Sequence, residues 1–134
     1  MHMNPVVHFE FPFVDKKRMV DFYTKTFGWQ AEMLGADMGE YVLVTTAERD
    51  AKGFPKEPGR INGGFFQKKT KGEISQHPSV VIAVDDIKEA MKKVEQAGGK
   101  ILGETMDIPG FGTYANFLDT EGNQASMMQP TMGM

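Results

Sequence analysis

The feature that most constrains the fold is one pattern of segments that occurs twice, about 71 residues apart. In each copy, alternating apolar residues are followed by a helical pattern and then by three shorter strand-like segments. Corresponding positions include His8 with Ser79, Phe13 with Val84, Asp15 with Asp86, and Gly28 with Gly99. Repetition of this length indicates a repeated supersecondary unit. Since one small sheet with one helix leaves a sheet face uncovered, the two copies are predicted to pair.

The first copy starts with a strand over residues 6–13, where apolar and other residues alternate, namely Val7, Phe9, Phe11 and Phe13 with His8, Glu10 and Pro12. A period of two predicts a strand with one apolar and one polar face. Asp15 is the predicted N-cap of a helix that ends at Gly28. Strands are predicted over 30–34, 40–46 and 61–67, with a surface loop over 47–60.

The second copy repeats this order. A strand is predicted over residues 79–84, and Asp86 is the predicted N-cap of a helix that ends at Gly98 and Gly99. Strands follow over 100–104, 112–118 and 124–129. Residues 107–112, which lead into the strand over 112–118, are predicted to form a glycine-punctuated loop.

Composition and charge exclude several function classes. Cysteine is absent, and the three histidines are His2, His8 and His77, so thiol chemistry, disulfides and cysteine zinc sites are excluded. The net charge is −3, and the main basic cluster, Lys68, Lys69 and Lys71, is too short to predict nucleic-acid binding. No apolar run approaches the roughly 20 residues that span a bilayer. No membrane association is expected, and a cytoplasmic location is predicted.

Three segments together resemble the vicinal oxygen chelate superfamily, the group of glyoxalases, bleomycin resistance proteins and extradiol dioxygenases. They are HFEFPFVDKKRMVDFYTKTFGW, PSVVIAVDDIKEAMKKVEQAGGK and DIPGFGTYANFLDTEGNQASMMQ. The resemblance implies an α+β fold with two βαβββ modules, curved mixed sheets around a cup-shaped pocket, and the helices outside. One such domain is expected over residues 5–130, with modules at about 5–67 and 79–129. The resemblance also implies a homodimer.

The resemblance further implies up to four metal-ligand positions, which fall on His8, Gly64, Ser79 and Ser126. Only histidine is a good ligand for a divalent transition metal, because glycine has no side chain and a neutral hydroxyl is a poor donor. A catalytic metal generally needs about three protein ligands. The chain is therefore predicted to belong to a metal-ligand-poor branch, with no cofactor and with a divalent metal disfavoured.

His8 and Glu10 are two residues apart on a strand, so both are expected to point into the pocket. They are the candidate catalytic groups, as a general base or as a pair that hydrogen-bonds a ligand. The alternative is that their hydrogen bonds are satisfied within the protein and that they only form part of the pocket floor. The predicted ligand-binding residues are His8, Glu10, Asn62, Tyr114, Asn116 and Ser126. A composite metal site of His8, Glu10 and His77 is a further, less favoured alternative.

The sequence thus predicts a glyoxalase- or bleomycin-resistance-like protein that binds a small organic ligand without a metal. A metal-dependent glyoxalase-like lyase or dioxygenase with an irregular site is the first alternative. A ligand-free dimeric interaction module is the second. Whether the protein is an enzyme stays open, and proton transfer next to a carbonyl is the chemistry expected of one.

Overall fold

A computed structural model describes residues 3–53, 55–68 and 77–131 of the chain. His2, Lys69 and Lys71 lie outside these residues. The elements are β1 Val6–Phe13, α1 Lys16–Phe27, β2 Gln30–Met33, β3 Val42–Thr45, β4 Asn62–Gln67, β5 Ser79–Ala83, α2 Ile87–Gln96, β6 Lys100–Ile108, β7 Gly112–Leu118 and β8 Gln124–Pro130, with a 3-10 turn over Ala36–Met38. This order confirms the α+β class and the repeated βαβββ pattern. The described residues divide into two compact units, 8–68 with 77–78 and 79–131 with 3–7, called below the N-terminal and C-terminal units.

The N-terminal unit has a mixed sheet in the order β2, β3, β4, β1. Strands β1 and β4 are parallel, and the other neighbours are antiparallel. The apolar side chains of this sheet and of α1 form one core, whose buried members are Phe13, Val20, Val42, Val44 and Phe65. Phe9 and Phe11 pack against it, as their alternation in the sequence predicts. The helix therefore covers one sheet face, and His8 and Glu10 belong to the other.

Helix α1 begins and ends where the sequence predicts. The Asp15 carboxylate accepts a hydrogen bond from the Arg18 backbone N–H at 3.0 Å, which satisfies one free donor of the first turn. Gly28 has φ of 72° and donates its N–H to the Thr24 carbonyl. Glycine adopts this left-handed conformation without the steric cost that a Cβ brings.

The C-terminal unit has the same construction, with strand order β5, β8, β7, β6 and one parallel pair, β5 with β8. The Asp86 carboxylate caps α2 by accepting from the Glu89 N–H at 3.1 Å. Val84, Ile87, Ala115 and Met127 form the buried core between α2 and the sheet. Tyr114, Asn116 and Ser126 alternate with core residues and so belong to the opposite face.

Strand β6 is longer than the sequence predicts. It continues to Ile108, because Met106, Asp107 and Ile108 pair with β7 after a register shift that follows Leu102. The predicted loop over residues 107–112 is accordingly a short hairpin turn after Ile108. Neither helix within the described residues is long and apolar enough to cross a membrane.

Candidate functional site

The polar face of the N-terminal unit is built on neighbouring positions of β1 and β4. His8 lies beside Asn62, and Glu10 lies beside Gly64. Directly paired residues of adjacent strands point to the same face of a sheet. His8, Glu10 and Asn62, three of the predicted ligand-binding residues, therefore share this face.

The phenol of Tyr41 connects His8 with Glu10. Its hydroxyl donates to Glu10 Oε2 at 2.9 Å and lies 2.9 Å from His8 Nε2. A phenol has one proton, and here that proton points to Glu10. His8 Nε2 must therefore carry a hydrogen and donate to the Tyr41 oxygen, which leaves the lone pair of the neutral ring on Nδ1.

Burial keeps the His8 ring neutral. Removal from water disfavours the charged imidazolium and lowers the pKa of His8 from 6.5 to about 4. At neutral pH the ring is thus an uncharged hydrogen-bonding group. Glu10, which is 7% exposed, accepts a hydrogen bond from the Tyr41 hydroxyl.

Tyr41 occupies the space that a side chain at Gly64 would need. A Cβ added to Gly64 would overlap the hydroxyl and the ring of Tyr41. Gly64 is one of the four positions at which the family resemblance implies a metal ligand. At this position the chain has a neighbouring phenol in place of a metal-binding side chain.

Asn62 is 9% exposed, and its two amide atoms are in different situations. Oδ1 accepts from the backbone N–H groups of Thr46 at 2.7 Å and Ala47 at 3.0 Å. Nδ2 is buried and has no hydrogen-bond partner among the described residues. The side chain thus stabilises the Thr46–Ala47 turn through Oδ1, and its Nδ2 donor makes no hydrogen bond with the described residues.

In the C-terminal unit, Tyr114, Ser126 and Asn116 form a chain of hydrogen bonds. Ser126 Oγ donates to Asn116 Oδ1 at 2.6 Å and lies 2.6 Å from the Tyr114 hydroxyl. Because the one serine proton points to Asn116, the phenol must donate to the serine. Ser126 is 1% exposed, so this order of donors is fixed inside the unit.

The predicted site residues are therefore distributed over the polar faces of the two units, with direct contacts inside each unit. The composite site of His8, Glu10 and His77 is not formed, since no three His, Cys, Asp or Glu residues among those described are arranged to hold a metal, and His77 is exposed. Of the four ligand positions that the resemblance implies, Gly64 is covered by Tyr41 and the Ser126 hydroxyl is engaged with Asn116. The donor set does not fit a catalytic metal.

Tyr41 is the site residue that sequence reasoning missed. The signal was present, because Gly39-Glu40-Tyr41 and Gly112-Thr113-Tyr114 repeat a glycine-x-tyrosine motif about 73 residues apart. The paired residues Leu43–Gly64 and Asn116–Ser126 put these tyrosines at equivalent places in the two sheets. In each unit a tyrosine thus reaches the ligand position of the last strand.

Comparison with known proteins gives consistent matches. The family model of the Glyoxalase/Bleomycin resistance protein/Dioxygenase superfamily matches residues 6–127. A glyoxylase-like domain-containing protein from Didymella fabae is 34% identical over 118 residues, which are 85% of this chain and 84% of the relative. The anthracycline biosynthesis protein DnrV from Streptomyces peucetius is 29% identical over 114 residues, which are 81% of this chain and 40% of DnrV.

Solved structures agree on the fold. A Streptomyces coelicolor methylmalonyl-CoA epimerase variant, in complex with 2-nitronate-propionyl-CoA, has a TM-score of 0.70 at 11% identity, with 98% of this chain and 100% of that chain covered. A superfamily member from Vibrio splendidus has a TM-score of 0.58 at 15% identity, covering 95% of this chain and 99% of that one. At such identities the likeness concerns the fold alone.

The contact between Gly64 and Tyr41 is testable by a double-mutant cycle. We expect Gly64→Ala to lower the free energy of unfolding by about 2 kcal/mol, because the added methyl group displaces the phenol and breaks its hydrogen bonds to His8 and Glu10. In the Tyr41→Ala background the same change is expected to cost less than about 0.5 kcal/mol. Urea denaturation measures both. Equal costs in the two backgrounds would contradict the contact.

The neutral state of His8 predicts a pH dependence of stability. The unfolded chain protonates His8 near pH 6.5, whereas the folded chain does so near pH 4. The neutral His8 therefore makes its full contribution to the free energy of unfolding above pH 6.5. The free energy of unfolding then falls by at most about 3 kcal/mol as the pH is lowered to 4, because protonation of His8 favours the unfolded chain. We expect His8→Asn to remove this part of the pH dependence in urea denaturation at pH 7 and 4.5. An NMR titration of His8 with a midpoint near 6.5 would contradict the prediction.

Proposed function

This chain belongs to the glyoxalase/bleomycin resistance protein/dioxygenase superfamily, and we propose that within it the protein binds small organic molecules without a metal ion. The observation that carries the proposal is the Tyr41 hydrogen-bond network. It uses His8 Nε2 as a donor, ties Glu10 to a phenol and fills the space beside Gly64. His8 Nε2 and the Glu10 carboxylate are thus hydrogen-bonded to Tyr41.

The composition of the polar face supports an organic ligand. His8, Glu10 and Asn62 lie on it, and strand alternation adds Leu43 and Phe66. A few oriented polar groups among apolar ones is the usual lining of a small-molecule site. In the C-terminal unit the candidate ligand-binding residues are Tyr114, Asn116 and Ser126.

Proton transfer next to a carbonyl is the second candidate function, and the Glu10–Tyr41 hydrogen bond favours it. Glu10 is buried and acts as the base, since burial makes the neutral His8 a weak one. The hydrogen bond from the Tyr41 hydroxyl holds the Glu10 carboxylate in place. This candidate requires that a bound carbonyl compound exchange an adjacent C–H with deuterated solvent, and that Glu10→Gln abolish the exchange.

A thermal-shift screen of planar aromatics, antibiotics, ketones and oxo-acids tests the binding proposal. We expect at least one class to raise the midpoint of unfolding, because a ligand that binds only the folded chain stabilises it by an amount that grows with the logarithm of its concentration over Kd. His8→Asn and Asn62→Asp are expected to reduce the shift. Glu32→Gln, at an exposed position of β2, serves as the matched control and should leave it unchanged.

Two results would contradict this proposal. A shift that survives unchanged in His8→Asn and Asn62→Asp would remove these residues from the site. Elemental analysis of the purified protein, before and after addition of nickel, zinc, manganese or iron, tests metal independence separately. One equivalent of tightly bound metal that is lost in His8→Asn would favour the metal-dependent lyase or dioxygenase.

We further propose that the protein is a homodimer, which the superfamily resemblance implies. Small-angle scattering at micromolar concentration is expected to give a mass of about twice the chain mass of 14.9 kDa. A monomer mass over a tenfold range of concentration would contradict it. It would also contradict the ligand-free dimeric interaction module, for which the dimer is the whole function.

A further inference from the structure

The last turn of α1 and the residues after it bring aromatic rings into contact, called below the aromatic patch: Phe22, Tyr23, Phe27 and Trp29. The ring of Tyr23 stacks on that of Trp29 with centroids 4.8 Å apart. Phe22 contacts Tyr23 at 5.0 Å, and Phe27 contacts Trp29 at 5.9 Å. Such distances are typical of favourable aromatic pairs. Each ring therefore supports its neighbours, and the patch has a defined shape.

Two rings of the aromatic patch face water. Phe22 is 55% exposed and Phe27 is 59% exposed, whereas Tyr23 and Trp29 pack against the core of the N-terminal unit. The centroids of the two exposed rings are 6.4 Å apart, so they form one continuous apolar surface. Single exposed apolar side chains are common, but contiguous ones mark interaction sites.

The repeated fold does not require aromatic residues at these positions. With the offset of about 71 residues, Phe22 corresponds to Lys93 and Phe27 corresponds to Gly98 in the second copy. Helix α2 nevertheless has an aspartate N-cap and packs on its own core. The exposed phenylalanines are therefore a feature of α1 that folding of the repeated unit does not explain.

Positive charge borders the aromatic patch. Arg18 and Lys25 lie four residues before and three residues after Phe22, and these spacings make them its neighbours on the helix surface. Both are exposed, and neither forms an ion pair with a described residue. Asp21, the carboxylate of α1, is paired with Lys17 at 3.1 Å. The charges of Arg18 and Lys25 therefore remain available to carboxylates of a partner.

The size of the aromatic patch favours a short segment over a second copy of the chain. The exposed parts of Phe22 and Phe27 amount to roughly 200 Å², since a whole aromatic side chain has about that area. A stable dimer buries about 800 Å² per partner. Antiparallel α1 helices of two copies, centred on Phe22, would also bring Arg18 near Lys25 and oppose like charges.

An anionic membrane is also a less suitable occupant than a short segment. Stable binding to a membrane surface requires a long apolar helix face or a cluster of about four to eight cations. The aromatic patch has two exposed rings and is bordered by two unpaired cations. Its size and charge correspond to a few residues of a protein partner.

We propose that the aromatic patch, together with Arg18 and Lys25, binds a short acidic segment of a partner protein. Apolar side chains of the segment contact Phe22 and Phe27, and its carboxylates pair with the two cations. Aromatic residues and arginine are enriched in the buried centres of protein interfaces. The patch lies on α1, which covers the sheet face opposite to that of His8, so this inference does not depend on the proposed function.

Trp29 provides a direct measurement, because it is the only tryptophan of the chain and contacts Phe27. The probe is a synthetic peptide in which leucines alternate with pairs of aspartates and which contains no aromatic residue. We expect titration of this acidic peptide into the whole chain to change the Trp29 emission and to saturate. The same peptide with lysine in place of aspartate is expected to bind at least about tenfold more weakly, and added salt is expected to weaken binding of the acidic peptide.

Variants at exposed positions separate the apolar and the charged contributions. Phe22→Ser is expected to weaken binding of the acidic peptide about tenfold, because the peptide loses one of its two aromatic contacts. The double variant Arg18→Gln, Lys25→Gln is expected to weaken it about tenfold and to remove most of the salt dependence. Lys93→Gln, at the position of α2 that corresponds to Phe22, is the matched control and is expected to leave binding unchanged.

Several results would overturn the proposal. One is Trp29 emission of the wild-type chain that does not respond to the acidic peptide, a measurement that does not depend on the folding of any variant. Equal affinity for the acidic and the basic peptide, or unchanged affinity in Phe22→Ser, would be another. A response to vesicles of phosphatidylserine and phosphatidylcholine without a response to the peptide would assign the patch to a membrane surface. A dimer that Phe22→Ser converts into a monomer in small-angle scattering would assign it to a second copy.

Discussion

The polar face of the N-terminal unit depends on the single proton of the Tyr41 hydroxyl. Because that proton is donated to Glu10, the phenol oxygen can only accept from His8. The tautomer of His8, the position of Glu10 and the filling of the space beside Gly64 all follow from this one group. Burial reinforces the arrangement, since the low pKa of His8 keeps the ring neutral at pH 7.

The fold was predictable because its signals are local. The alternation in β1 predicts a strand, and Asp15 and Asp86 predict where the two helices begin. Each prediction depends only on residues within the segment, and the structure confirms each of them. The end of β6 is different. Asp107 and Ile108 belong to a strand only because they pair with Thr113 and Gly112, and a register between two segments is not visible in the composition of either one.

The candidate site was predictable in its positions and not in its contacts. Strand alternation predicts that His8 and Glu10 share one face, and the missing side chain at Gly64 was visible. That Asn62 lies beside His8 follows from the β1–β4 register. What fills the space beside that glycine is decided by the β3–β4 register, which pairs Leu43 with Gly64 and brings Tyr41 over it. The free donor of Asn62 likewise depends on a turn at Thr46 that the sequence does not specify.

The two tyrosines give the proposed metal-independent binding a physical basis. A metal ion organises its site by charge and accepts several electron-pair donors at once, whereas a tyrosine hydroxyl joins only two or three neutral or anionic partners. In each unit a tyrosine hydroxyl lies beside the last-strand residue to which the family resemblance assigns a metal ligand. These residues are Gly64 and Ser126. Replacing a cation by hydrogen bonds removes the positive charge that would attract chelating anions. In the N-terminal unit the polar face then presents His8, Glu10 and Asn62.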